Sequence, residues 1–183
     1  MRFPIPALVA GGLAAIAVVG IADIARSQGQ AKLDDATILA VVEFAHTAEL
    51  ETGQLAQEKG SAQEVKDLGR NFVTAHTQGR DEARALGTKL NITPKLPDAD
   101  PMAKAHSEAI TKLRGLEGKG FDKAFVDHEV MFHTAVIEKV KTSLIPAATS
   151  PELKAYLNKL TPSLQAHLDE AKALQTKIVA AED

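Results

Sequence analysis

Four residues stand where the surrounding pattern calls for apolar side chains: Glu49, His76, His128 and His167. Each interrupts a run of hydrophobic residues at helical spacing, so each is expected to point into a core. An unpaired buried carboxylate costs several kcal/mol, and a buried imidazole needs a hydrogen-bond partner. Converging, the four can satisfy one another as a hydrogen-bonded polar layer. They can also bind one transition-metal ion, because three imidazoles and a carboxylate suit zinc, iron, copper or manganese. His46 lies about 60° round the helix from Glu49, and Glu170 lies one turn after His167, so both are flanking candidates. The sequence contains no cysteine, which excludes thiolate, zinc–thiolate and iron–sulfur chemistry. No catalytic Ser/His/Asp motif, phosphate loop or paired acid/base carboxylates are present. Enzymatic activity is therefore the least supported class.

These residues need helices to position them. The first is expected from Asp34 or Asp35 to Lys59, with the stripe Ile38, Val42, Ala45, Glu49, Thr52 and Ala56. The second opens at Ser61 with Glu64 as a capping box and runs to about Leu90, with His76 between Phe72 and Gly79. Asn91, Pro94 and Pro97 break the chain, and Asp100-Pro101 starts a shorter helix that ends in the glycines of 115–120. The fourth helix begins near Phe121 or Asp122 and reaches about Leu144, with Phe121, Phe125, His128, Phe132 and Ala135 on its inner face. His133, about 140° away from His128 at about 100° per residue, is expected to face another side. The last helix starts at Ser150-Pro151 and extends towards Ala180. Pro162 should kink or split it, with Thr161 capping the second piece. Glu51 reads as solvated, His106 as packing on the short helix, and Tyr156 as core with its hydroxyl at the rim.

The fold class expected is all-α: a four-helix bundle of two helical hairpins with a long, helix-containing crossover, preceded by an N-terminal signal or anchor helix. Depth along the bundle is the weak point of the site. Glu49 precedes Gly60 by eleven residues and His76 follows it by sixteen, an offset of about 7.5 Å at ~1.5 Å per residue.

Residues 1–27 carry Arg2, an apolar run from Ala7 to Ala22, then Asp23, Arg26 and polar residues. That is the layout of a secretory signal, with an uncleaved membrane anchor as the alternative. Either places residues 28–183, the bundle domain, outside the cytoplasm, in the periplasm or envelope. Aromatics are 4% and the net charge is -3, so a base-stacking or basic nucleic-acid surface is excluded.

The stretches Ala48–Ala56, Phe72–His76, Gly120–Asp122, Asp127-His128 and Leu164–Leu168 resemble a ferritin-like family of bacterial envelope proteins of unknown function, described as outer-membrane or periplasmic. The resemblance spans about residues 34 to 178. It implies a helical bundle, export and no established activity, with Glu49, His76, His128 and His167 at the family's polar positions. Ala75 departs from it, since an Asp is usual before that His. The Glu-x-x-His pairs of di-iron bundles are absent, since Val73, Phe125 and Leu164 precede the three histidines by three. At most a mononuclear site is expected. Two functions follow: a metal-binding bundle for metal handling or stress response, or a non-catalytic structural or interaction module of the envelope. Partners would be envelope proteins or a second copy of the chain, with membrane contact only through an uncleaved N-terminus.

Overall fold

The computed structural model describes residues 33–181, so the expected signal or anchor segment lies outside the described residues. The helices are α1 (Asp35–Lys59), α2 (Gln63–Leu90), α3 (Pro101–Arg114), α4 (Gly118–Lys139), α5 (Ile145–Ala147) and α6 (Pro151–Ala180). A π-helical turn, Val140–Leu144, joins α4 to α5. Among the described residues the fold is all-α, with α1 packed on α2, α4 packed on α6, and α3 crossing between the two hairpins. No described helix is long and apolar enough to cross a membrane.

Local sequence explains most boundaries. The Asp34 carboxylate caps α1 by accepting from the Thr37 backbone N–H at 2.8 Å, and Asp100 caps α3 by accepting from Met102 and Ala103. The expected capping box at Ser61 and Glu64 does not form. Ala62 is the N-cap of α2, and the cap comes from another helix. Asp122, just past the first turn of α4, accepts from the Ser61 and Ala62 backbone N–H groups at 2.7 and 2.8 Å and from the Ser61 hydroxyl at 2.5 Å. Asp35 mirrors this at the other end, accepting from the Thr149 and Ser150 N–H groups. Each hairpin turn is thus held by a carboxylate from the other hairpin.

The expected split at Pro162 is also corrected. α6 runs unbroken through it, and Thr161 donates back to the Leu157 carbonyl at 3.2 Å instead of capping a new segment. Pro162 and Asn158 are both exposed, so the carbonyl that loses its helical donor faces water.

The hairpin α1–α2 is unusually close. A Cβ on Gly69 would lie 2.6 Å from the Gly53 carbonyl and 2.8 Å from the Ala56 Cβ. Only glycine permits this approach. Two apolar cores result. One holds Ile38, Leu39, Val42, Val136, Leu144 and Leu157; the other holds Leu55, Val65, Phe72, Phe121, Phe125 and Leu174. Between them lies a belt of polar side chains.

Candidate metal centre

That belt contains Glu49 on α1, His76 on α2, Glu129 and His133 on α4, and His167 on α6. All but half-buried His167 are buried, and Phe72 lies against all three imidazoles, with ring centroids 5.0–6.0 Å away. One ligand atom from each of His76, His133 and His167 falls within 4.8 Å of the other two, as do those of Glu49, Glu129 and His133.

Two overlapping groups result: His76 and His167 meet at His133, Glu49 and Glu129 meet at the same His133, and Glu49 lies 3.9 Å from His76. His128 does not join them. It is buried against Phe132 and lines a surface groove between α3 and α4 with Ala124, Asp127 and Met131. His133, one helical turn and a residue later, takes the inward position and is wholly inaccessible. Glu129, buried beside Glu49, is a carboxylate that sequence reasoning missed. Of the flanking candidates, His46 abuts the site, whereas Glu170 is exposed and takes no part in it. Glu51 is not merely solvated: it ties α1 to α3 by accepting from His106 Nε2 at 3.1 Å and Arg114 at 2.7 Å.

Hydrogen bonds assign the protons on the rings. The Tyr156 hydroxyl donates to the Gly79 carbonyl at 3.0 Å, so toward His46 Nε2, 3.4 Å away, it can only accept. His46 then carries its proton on Nε2 and presents the Nδ1 lone pair to His76 Nδ1, 2.9 Å away. His76 Nδ1 is the donor, which leaves Nε2 of His76 unprotonated. His133 Nδ1 donates to the Glu129 backbone carbonyl at 3.0 Å, leaving its Nε2 unprotonated as well. Both bare nitrogens lie 3.9 Å from Oε2 of Glu49. Neither is an ion pair, because no proton sits on the facing nitrogen. Two bare imidazole nitrogens thus flank one carboxylate oxygen with no hydrogen bond between them, an arrangement that a proton or a cation would relieve.

Polar groups around that spot lack partners. Both oxygens of Glu49 and of Glu129, His76 Nε2, His133 Nε2 and His167 Nδ1 are buried without a hydrogen bond. Burial holds the imidazoles neutral: His133 is pushed down to about 3 and His46 to about 4, and His76 and His167 are also lowered. Burial raises the Glu129 carboxyl to about 7, and burial with the adjacent Glu129 raises Glu49 well above its usual range. The metal-free protein must keep a proton between these acids.

Acid should therefore weaken the metal-free protein. An unfolded histidine binds a proton below about 6.5, whereas the lowered His46, His76, His128, His133 and His167 refuse it. Each strongly lowered group removes about 1.4 kcal/mol per pH unit from 6.5 down toward its folded value. The raised Glu49 and Glu129 act in the opposite sense, losing stability as pH rises above 4.5, for Glu129 until about 7. Five imidazoles outweigh two carboxyls, so the melting temperature of chelator-treated protein should fall steadily from pH 6.5 to 4.5. A flat profile there would mean these rings are not held neutral.

Gly79 completes the scaffold. A Cβ there would lie 2.4 Å from His46 Cε1 and 2.8 Å from Nε2, so the α2 backbone presses directly on the ring. Gly79→Ala should expel His46, break its bond to His76 and destabilise the fold by about 1–3 kcal/mol, the usual range for overpacking. Denaturant unfolding checks this, and an unchanged midpoint would rule out the contact.

The sequence matches the domain of unknown function DUF4142 over residues 22–174. No curated protein shows a significant match. Among solved structures, a DUF305 fragment from Deinococcus radiodurans superposes with a TM-score of 0.69 at 12% identity, covering 78% of this chain and 95% of that one. A DUF305 protein from Streptomyces coelicolor, described as a presumed secreted protein, superposes with a TM-score of 0.66 at 15% identity, covering 79% and 93%. At such identities the likeness establishes the helical fold alone. With most of its length matched, the chain belongs to the DUF4142 family.

Proposed function

We propose that this protein is an exported bundle that holds one divalent transition-metal ion, in metal handling or stress response of the bacterial envelope. The N-terminal signal pattern and the description of the Streptomyces coelicolor neighbour support export. The carrying observation is the convergence of unprotonated Nε2 atoms of His76 and His133 on Oε2 of Glu49, each 3.9 Å away. A tetrahedral ion with bonds near 2.1 Å separates its ligand atoms by about 3.4 Å, so the imidazoles of His76, His133 and His167, whose ligand atoms lie within 4.8 Å of one another, would close on it by moving inward. His167 Nδ1 supplies the third imidazole, and His46 is the partner that orients His76. Glu129 lies beside Glu49, where it can join the ion or balance its charge. Three imidazoles with carboxylate and no sulfur favour zinc, copper or iron over manganese.

Elemental analysis of untagged protein purified from its native envelope tests the reading. Near one metal per chain is expected, lost in His76→Ala. Stoichiometry well below one, with no uptake on adding zinc, would leave the polar belt as a register device for the helices.

A further inference from the structure

Two openings reach the histidines. One is a cavity of about 20 Å³, room for about one water, walled mainly by apolar residues such as Val42, Phe132 and Leu164, with Glu49, His76 and Lys139 also in its lining. The other is a cleft of about 160 Å³ between α2 and α6, with His46, His76 and His167 among its walls. The first cavity holds about one water, and its one lining carboxylate is the site's own Glu49, so it can neither accommodate the hydration shell of an ion arriving from water nor replace that shell on the way. The cleft can do both. Its outer part is polar, with Gln78 and Glu82 on α2 and Lys159 and Ser163 on α6. His167, the one half-buried ligand, faces it.

Resting on the metal-centre reading, we propose that the α2–α6 cleft is the route by which a hydrated divalent cation enters and leaves, with Glu82 as its transit carboxylate. Glu82 accepts from Lys159 Nζ at 3.0 Å and from Gln78 Nε2 at 3.1 Å, so the ion pair spans the mouth from helix to helix. The Lys159 side chain is 70% exposed. An exposed pair of this kind is worth about 0–1 kcal/mol, so an incoming cation displaces the ammonium at little cost. The carboxylate sheds part of the hydration shell and passes the ion to His167, and the buried nitrogens complete its capture. Glu82 attracts the cation, while Lys159 competes for the same oxygens.

The test is the rate of Co²⁺ uptake by the full chain, followed in stopped flow by the ligand-field absorption of the imidazole-bound ion, with affinity measured separately at equilibrium. Glu82→Gln should slow loading about tenfold at low salt, a modest steering effect, and flatten its ionic-strength dependence. Lys159→Gln should speed loading. Ser163→Trp, which fills the cleft from an exposed position, should slow loading and chelator-driven release together. All three should keep the wild-type affinity. Wild-type loading rates in all three would overturn the route. A weakened equilibrium affinity in Glu82→Gln would also overturn it, since Glu82 would then be a resident ligand. Failure of the wild type itself to take up Co²⁺ sinks the metal centre, and the route with it.

Discussion

His133→Asn should weaken zinc binding by more than about a hundredfold, while His128→Asn should leave it within about twofold. Losing an orienting partner alone costs 10–100-fold at metal sites, and a direct ligand should exceed that. His133 is wholly inaccessible, its Nδ1 is committed to the Glu129 carbonyl, and its Nε2 is bare and aimed at Glu49. His128 has no such aim. Its ring lies on Phe132 and in the groove under α3, with both nitrogens unpartnered. Competition titration with a chromophoric chelator separates the two variants, and thermal melts check that each folds. Equal losses in both would mean that no single imidazole of α4 is the ligand.

The confusion between these two histidines has a physical origin. α2 and α6 wear apolar stripes that agree with the observed burial, Val65 to Ala83 and Leu153 to Leu174, whereas α1 is buried well beyond its stripe, at Leu39, Val41, Ala48, Leu50 and Leu55 as well. His76 and His167 were legible on those stripes and Glu49 fell on the stripe of α1, whereas His46, buried beside it, lay off that stripe. α4 is enclosed on two sides, by the bundle and by α3, so its buried residues include Phe121, Asp122, Phe125, Val126, His128, Glu129, Phe132 and His133. A helix buried around so much of its circumference has no single face for periodicity to find. Ala135, placed on its inner stripe, is exposed. The signal that was available is the Glu129–His133 spacing of one turn, which stacks carboxyl and imidazole on one face. The depth offset between Glu49 and His76 was real along the axis, yet their side chains bridge it to 3.9 Å. His46, fourteen residues before Gly60, is the residue level with His76, which is why those two rings touch. The reciprocal caps by Asp35 and Asp122 were not legible at all, because they join residues far apart in the chain.

Glu49→Gln should have two effects of opposite sign. In metal-free protein it should raise stability by about 1–3 kcal/mol, the scale of an unsatisfied buried polar group. The Glu49 and Glu129 carboxyls are buried and adjacent, and must borrow a proton from solvent to coexist. Glutamine has the same shape and brings N–H donors that Glu129 can accept. At about 2–4 °C per kcal/mol for a domain of this size, the rise is readable in a melt. With zinc present the order reverses. Wild-type protein at a free zinc concentration of 100 Kd gains about 2.7 kcal/mol by mass action, and the variant, lacking the anionic ligand, should gain little. The crossing of the two curves carries the argument. A polar layer that merely fixes helix register would show a shifted melt for Glu49→Gln with no zinc-dependent rise in either protein. A metal centre requires that the residue which weakens the empty fold be the one that stabilises the filled one.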